Sequence, residues 1–439
     1  MTTAETSTLA ELLVQLETAV RASDHARATE LEQEILRRLA ADAADNASIE
    51  RRLRALMAEL DQPATTLSFP DIERLEPGRV HIDRLNPPFG DAERPDLIPF
   101  DLDLGLERSD VPDEEKGVDY HVWFATNRKP VEDGGFSGER HDKITRGRAT
   151  VHVPKAHRFG ETGSSFWKRL VRGDDRLRLK VLDRLAADDF YADIRKAIQA
   201  ARDAGDEPEA LVFLHGFNVS FEDAAIRAAQ IGYDLKVPGA TAFFSWPSRG
   251  SVAAYPADEA SIEASEAAIT DFLVDFAANC AAKKVHVIAH SMGNRGLLRA
   301  LQRIAANAEM RGQVKFDQIF LAAPDVDRDL FLDLAHLYPQ HAGRVTLYAS
   351  DRDLPVHLSS KLHEAARAGY FKPYTVAAGV DTVAVPDFDI DLLGHGYFAQ
   401  AEALLHDIYD LMRHNEAPGK RQRIEPAHED GLNFWRLKR

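Results

Sequence analysis

Residues 285–294 read Val-His-Val-Ile-Ala-His-Ser-Met-Gly-Asn. The first half is a short, uncharged, β-branched run of the kind that fills a strand buried on both faces. A segment of helical period, residues 294–310, follows at once. Between them stands Ser291, with Ala289 two residues before it and Gly293 two residues after it. A serine held on so sharp a strand-to-helix turn needs small neighbours at those two positions, because the turn brings them against adjacent backbone. The turn would lift the Ser291 hydroxyl to the top of the sheet and aim a helix N-terminus at it.

Working outward, the same strand pattern recurs. Residues 210–217 (ALVFLHGF), 240–246 (ATAFFSW), 316–323 (FDQIFLAA) and 344–349 (RVTLYA) are short apolar runs. Residues 118–127 and 148–154 form an opening pair of strands. Helical periodicity lies between the runs, over residues 221–235, 258–280, 327–337 and 399–415. Strand and helix in alternation predict an α/β fold, with a mostly parallel central sheet and helices on both faces. The ligand site of such a sheet lies at the carboxyl ends of its strands.

Before this region the chain changes character twice. Residues 1–62 are rich in Ala, Leu, Glu and Arg, with Leu9, Leu12, Leu13, Leu16 and Val20 at helical spacing. They predict a small helical segment, read either as a hairpin on the main body or as a module for a protein partner or self-association. Residues 63–117 carry eight prolines, at 63, 70, 77, 87, 88, 95, 99 and 112, and read as a linker or wrap. The catalytic domain is expected over 118–416 and a basic, loosely docked tail over 417–439.

Composition excludes several classes. Hydrophobic residues are 44% and charged residues 28%, which allows a sizeable core and argues against wholesale disorder. A net charge of −17 counts against nucleic acid or an anionic membrane as main partner, since both require a basic face. Cys280 is the sole cysteine, so no intramolecular disulfide forms, and it reads as a small buried residue. The first twenty residues lack a basic n-region and a long apolar core, and no uncharged apolar run is long enough to span a bilayer. The expectation is a cytoplasmic protein. No cluster of His, Glu or Cys has ligand spacing, so neither metal nor cofactor is expected.

The remaining chemistry falls into place around Ser291. His215-Gly216-Phe217-Asn218 follows a buried strand, at a turn that supplies an oxyanion N–H in serine hydrolases built this way. The donors are then the backbone amides of Phe217 and Met292. Chain order is Ser, acid, His. Asp353 is the preferred acid, Asp351 the second, and Asp325 a live alternative after the preceding strand; Asp327 reads as a helix cap. His395, glycine-flanked in Leu393-Gly394-His395-Gly396-Tyr397, is the preferred base over His357, His363, His406 and His414. Trp246 and Tyr255 either line an acyl or leaving-group pocket or pack beneath the site. Arg128 reads as a structural corner paired with an acid, and residues 160–167 as a segment able to cover the site.

Residues 118–413 resemble an uncharacterised bacterial family of α/β-hydrolases, labelled lipase- or esterase-like. The resemblance rests on Phe124-Ala125-Thr126-Asn127-Arg128, His215-Gly216-Phe217-Asn218, Ser245-Trp246-Pro247-Ser248, Ala289-His290-Ser291-Met292-Gly293, Ala322-Ala323-Pro324-Asp325, Tyr348-Ala349-Ser350 and Gly394-His395-Gly396-Tyr397. It implies the α/β-hydrolase fold, with the acid on Asp353 and the histidine on His395. The acid motif departs from the family's usual Ser-Asn-Asp, reading Asp351-Arg352-Asp353, and Gly396 replaces a frequent Ser. The function implied is hydrolysis of a small-molecule acyl substrate through a Ser–Asp–His triad. The rival is a non-catalytic hydrolase scaffold that recruits a partner through residues 1–62.

Overall fold

The computed structural model describes residues 117–132, 134–155, 157, 177–249, 255–350, 365–385 and 398–438. The segments read as N-terminal helices (1–62) and as a cover (160–167) lie outside them, as do all of the linker (63–117) but its last residue, Gly117, and Asp351, Asp353 and His395.

The chain opens on three antiparallel strands, β1 (Gly117–Pro130), β2 (Phe136–Pro154) and β3 (Arg178–Leu185). Helix α1 (Ala187–Asp203) and β4 (Glu209–Leu214) follow, then α2 (Phe221–Asp234) and β5 (Gly239–Ser245). Next come α3 (Tyr255–Ala264), α4 (Glu266–Asn279), β6 (Lys284–His290), α5 (Gly293–Ala306) and β7 (Phe316–Ala322). The chain closes with α6 (Arg328–Leu334), β8 (Ala342–Ser350), β9 (Asp381–Val385), α7 (Phe398–His414), β10 (Ile424–Glu429) and β11 (Leu432–Leu437).

All eleven strands share one sheet, ordered β10-β11-β9-β8-β7-β6-β4-β5-β1-β2-β3. Every neighbouring pair from β11 to β1 is parallel. The α/β expectation is met, and the reason is burial. β4 is buried along its whole length, and β5, β6 and β7 nearly so, because helices cover both faces. Apolar side chains of α1, α3, α4, α5 and α6 pack into the core on one face. Those of α2 and α7 pack on the other. Helix α2 starts on a reciprocal cap: Ser220 Oγ accepts from the Asp223 N–H, and the Asp223 carboxylate accepts from the Ser220 N–H. Asp327 caps α6, its Oδ1 accepting from the Asp329 and Leu330 amides at 3.0 Å, as the sequence implied.

Two readings change. The predicted helix over 258–280 is two helices, with Ser265 between them bonding back to the Ser261 carbonyl at 2.7 Å. Within the stretch read as a basic tail, 417–439, residues 424–437 instead form a hairpin. β10 and β11 pair with each other, and β11 adds to β9 as a parallel strand. Its basic residues are explained locally. Arg421 is buried on Asp407, and Arg436 pairs with Glu429 across the hairpin.

From β4 the chain runs to β5 on one side and through β6, β7 and β8 on the other. The sheet therefore changes direction between β4 and β6. A crevice at the carboxyl ends of the strands is expected at that point, because the following connections diverge.

Candidate active site

The carboxyl ends of β4 and β6 are where the sequence motifs fall. Ser291 follows β6 directly, at φ 47°, and α5 begins two residues later. A left-handed non-glycine residue costs of order 1–3 kcal/mol and persists only where its surroundings over-determine it. Here they do. The Ser291 N–H donates to the Ala322 carbonyl at 2.9 Å, and the Ser291 carbonyl accepts from the amides of Asn294 and Asp325, each at 3.1 Å. The Asn294 side chain adds Nδ2 contacts to the carbonyls of Ala289, Ser291 and Ala322 at 3.0, 3.1 and 3.3 Å. Asn294 belongs to the recognisable motif, yet its clamp role was not legible from spacing alone.

The small residues are used as the sequence implied. A Cβ on Gly293 would lie 2.6 Å from the carbonyl oxygens of both Leu214 and His215. A Cβ on Gly216 would lie 3.0 Å from Ser291 Cβ and from His290 Nδ1. The turn after β4 is thus pressed against the serine turn with no room for a side chain. Ser291 is 3% exposed, and its Oγ has no hydrogen-bond partner among the described residues. The fold brings Ser291, Met292 and the Gly216-Phe217 turn together.

A buried polar network fixes the β4 turn. Asn218, also left-handed at φ 56°, donates its N–H to Asp258 Oδ2 at 3.2 Å. The same carboxylate accepts from Ser248 Oγ at 2.6 Å and from the Arg249 amide at 2.8 Å. Burial raises the Asp258 pKa against these bonds, which lower it. Arg128 is equally buried. It donates to Ser245 Oγ at 2.8 Å, the Ser248 carbonyl at 2.8 Å and the Val219 carbonyl at 2.7 Å. The expected corner is there, but its hydrogen bonds go to backbone carbonyls and a hydroxyl; Asp258 acts on it at longer range. Burial pulls the guanidinium down to about 9, still charged at neutral pH.

His215 lies under the turn. Its Nδ1 contacts the Gly216 carbonyl at 2.7 Å and its Nε2 contacts Ser245 Oγ at 3.3 Å. Trp246 stacks on it with ring centroids 5.0 Å apart, and Trp246 Nε1 donates to the His215 carbonyl at 2.9 Å. Burial foremost, then the charge of Arg128, lowers the His215 pKa to about 3, so the ring is neutral. Trp246 therefore packs beneath the site. Tyr255 is different: its ring meets Phe217 edge-on at 5.2 Å.

Asp325 sits beside the serine turn, 1% exposed. Its Oδ2 accepts from the Tyr255 hydroxyl at 2.5 Å, and its Oδ1 lies 3.4 Å from Arg295 Nη2 and 3.5 Å from Arg367 Nε. Arg295 Nε also donates to the Asp325 carbonyl at 2.6 Å. The strands before the predicted acid and histidine segments, β8 and β9, are parallel neighbours and end together at Ser350 and Val385. That is the same sheet edge on which β6 ends beside Ala322.

A parallel sheet carrying a strained strand–serine–helix turn at its switch point defines the α/β-hydrolase class. Residues 190–413, half of the chain, match the family described as alpha/beta hydrolase of unknown function (DUF900), and the chain belongs to that family. No curated protein matches it. Among solved structures it is similar to an uncharacterised protein from Bacillus cereus ATCC 10987, at 15% identity and a TM-score of 0.31. That likeness covers 48% of this chain and 61% of the other, so the chain spans under two thirds of that protein. A protein from Agrobacterium vitis S4 described as a hydrolase is similar at 14% identity and a TM-score of 0.26, over 60% of this chain and 97% of that one. Among the described residues no helix is long and apolar enough to cross a membrane.

Proposed function

We propose that this hydrolase cleaves a carboxylic ester or related acyl bond of a small molecule, with Ser291 as nucleophile. The observation that carries the reading is Ser291 itself, held at φ 47° at the carboxyl end of β6 with a hydroxyl that has no hydrogen-bond partner among the described residues. In the mechanism, His395 takes the Ser291 proton as Oγ attacks the acyl carbonyl. The amides of Phe217 and Met292 stabilise the tetrahedral oxyanion, at the N-terminus of α5 where the helix dipole adds to them. The imidazolium then gives its proton to the leaving group. Water, deprotonated by the same histidine, hydrolyses the acyl-enzyme. Asp353 holds the histidine tautomer, with Asp351 second. Asp325 is a poorer choice of acid, since a tyrosine hydroxyl and two guanidiniums already engage its carboxylate.

Labelling with a fluorophosphonate probe tests this. Wild type should label, and Ser291→Ala and His395→Ala should not. Folded wild type that stays unlabelled would favour the scaffold reading, in which the fold serves a partner.

A further inference from the structure

One turn along α5 from Ser291 is a cavity of about 100 Å³, far more than a single water needs. Arg295, Arg299 and Arg367 all line it, with Ile262 and Leu298 as apolar wall and the exposed Glu263 at its rim. Two of the three guanidiniums hydrogen-bond to side chains. Arg295 donates to Glu259 and Asp325, and Arg299 donates to Gln302 Oε1 at 3.0 Å beside Glu266 at 3.7 Å. Asp327, also in the wall, gives its Oδ1 to the α6 cap.

Arg367 is not matched in this way. It is 4% exposed, yet its Nε and Nη2 have no hydrogen-bond partner among the described residues. Its contact with Asp325 Oδ1, 3.5 Å from Nε, is an ion pair without a hydrogen bond. The other oxygen of Asp325 is taken by Tyr255. A buried donor left without an acceptor costs about 1–3 kcal/mol. The planar guanidinium fork matches the two oxygens of a carboxylate or phosphate. The backbone holds Arg367 in place through a bridge to Asp327 and through the Ala368 amide donating to the Val326 carbonyl at 2.9 Å.

We propose that Arg367, flanked by Arg295 and Arg299, binds an oxyanion in this cavity, a carboxylate or phosphate carried on a small molecule. Arg295 is the third residue of α5 and stands four residues after Ser291 in the chain. An acidic group a few bonds from the scissile carbonyl would reach the cavity. That extension to the substrate rests on the hydrolase reading, whereas the anion site itself does not.

The test uses the full chain and inorganic phosphate, titrated calorimetrically into wild type, Arg367→Gln and Glu263→Gln. Wild type should bind phosphate, Arg367→Gln should weaken binding about tenfold or more, and Glu263→Gln should tighten it about twofold. Absent binding, or binding undiminished in Arg367→Gln, overturns the proposal. If Arg367→Gln does not fold, Glu263→Gln decides, and an affinity equal to wild type overturns it. Hydrolysis of the 4-nitrophenyl monoester of glutaric acid against 4-nitrophenyl butyrate then identifies the source of the anion. A kcat/KM preference for the acidic ester that collapses in Arg367→Gln assigns the anion to the substrate. Arg367-dependent phosphate binding without that preference assigns it to a separate ligand. Phosphate binding in a protein whose Ser291 resists fluorophosphonate leaves the anion site standing and removes the hydrolase reading.

Discussion

Gly293 and His215 show how tightly single residues are specified at the switch point. Alanine at 293 would place a methyl group 2.6 Å from two carbonyl oxygens on the β4 turn, and neither is the end of a flexible side chain. The backbone would have to part, at a cost of about 1–3 kcal/mol. Gly293→Ala should therefore lower the melting temperature and slow fluorophosphonate labelling more than tenfold, because the same parting separates Ser291 from the Phe217 amide. Labelling at the wild-type rate would show that the two turns are not coupled. His215 makes a pH prediction. Its ring has a pKa of about 3 in the fold against 6.5 outside it, so the unfolded chain binds the extra proton between those values. Its contribution is intact above pH 6.5 and is lost as pH falls toward 3, by at most about 1.4 kcal/mol per pH unit for one proton. Urea midpoints from pH 7.5 to pH 4.5 should fall less steeply in His215→Asn than in wild type.

Among the elements, the turns after β4 and β5 act as one unit because Asp258 and Arg128 bind both. Asp258 touches the Asn218 amide, one residue beyond the proposed donor Phe217. Asp258→Asn keeps the volume but replaces one of the two acceptor oxygens with a donor, so that either the Asn218 or the Arg249 N–H loses its acceptor. It should cut the labelling rate about a hundredfold, near the loss of one oxyanion donor, while leaving most of the thermal stability. Equal loss of stability and labelling would make Asp258 a structural residue only. These partners were not legible in the sequence, since nothing in spacing links Asp258 to Asn218 or Arg128 to Val219. The strands were legible wherever both faces are covered: β4, β6 and β7 are nearly continuous apolar runs. Strand β3, reading RLKVLDRL at the sheet's edge, carries charge along its length and looked like no core strand. Helix α1 did carry a readable signal, with buried Phe190, Ile194 and Ile198 four residues apart. Ser291, Gly216 and Gly293 were legible because a turn that tight admits few residue types, whereas Arg367 has no motif around it.

At the scale of the whole molecule, the β10–β11 hairpin closes the sheet beyond β9 and ties the end of the described chain to its centre. Arg421, ahead of the hairpin, is buried with its Nε 3.1 Å from Asp407 Oδ1 and its Nη2 on Asp407 Oδ2. The Tyr348 hydroxyl of β8 donates to the same Asp407 at 2.7 Å, and burial with that carboxylate beside it pushes the phenol pKa well up. Phe434 of β11 stacks on Tyr374 at 4.4 Å, which extends the core past β9. Removing one partner of a buried, hydrogen-bonded charge pair leaves the other uncompensated, at about 3–5 kcal/mol. Arg421→Met should therefore lower the urea midpoint by that equivalent. A double variant, Arg421→Met with Asp407→Leu, should recover most of the loss, since the stranded carboxylate is then gone. The network joins β8 to α7 and does not touch Ser291, so labelling per folded molecule should match wild type in both variants. A double variant no more stable than Arg421→Met would mean that packing by the arginine stem, and not charge compensation, anchors the hairpin to the sheet.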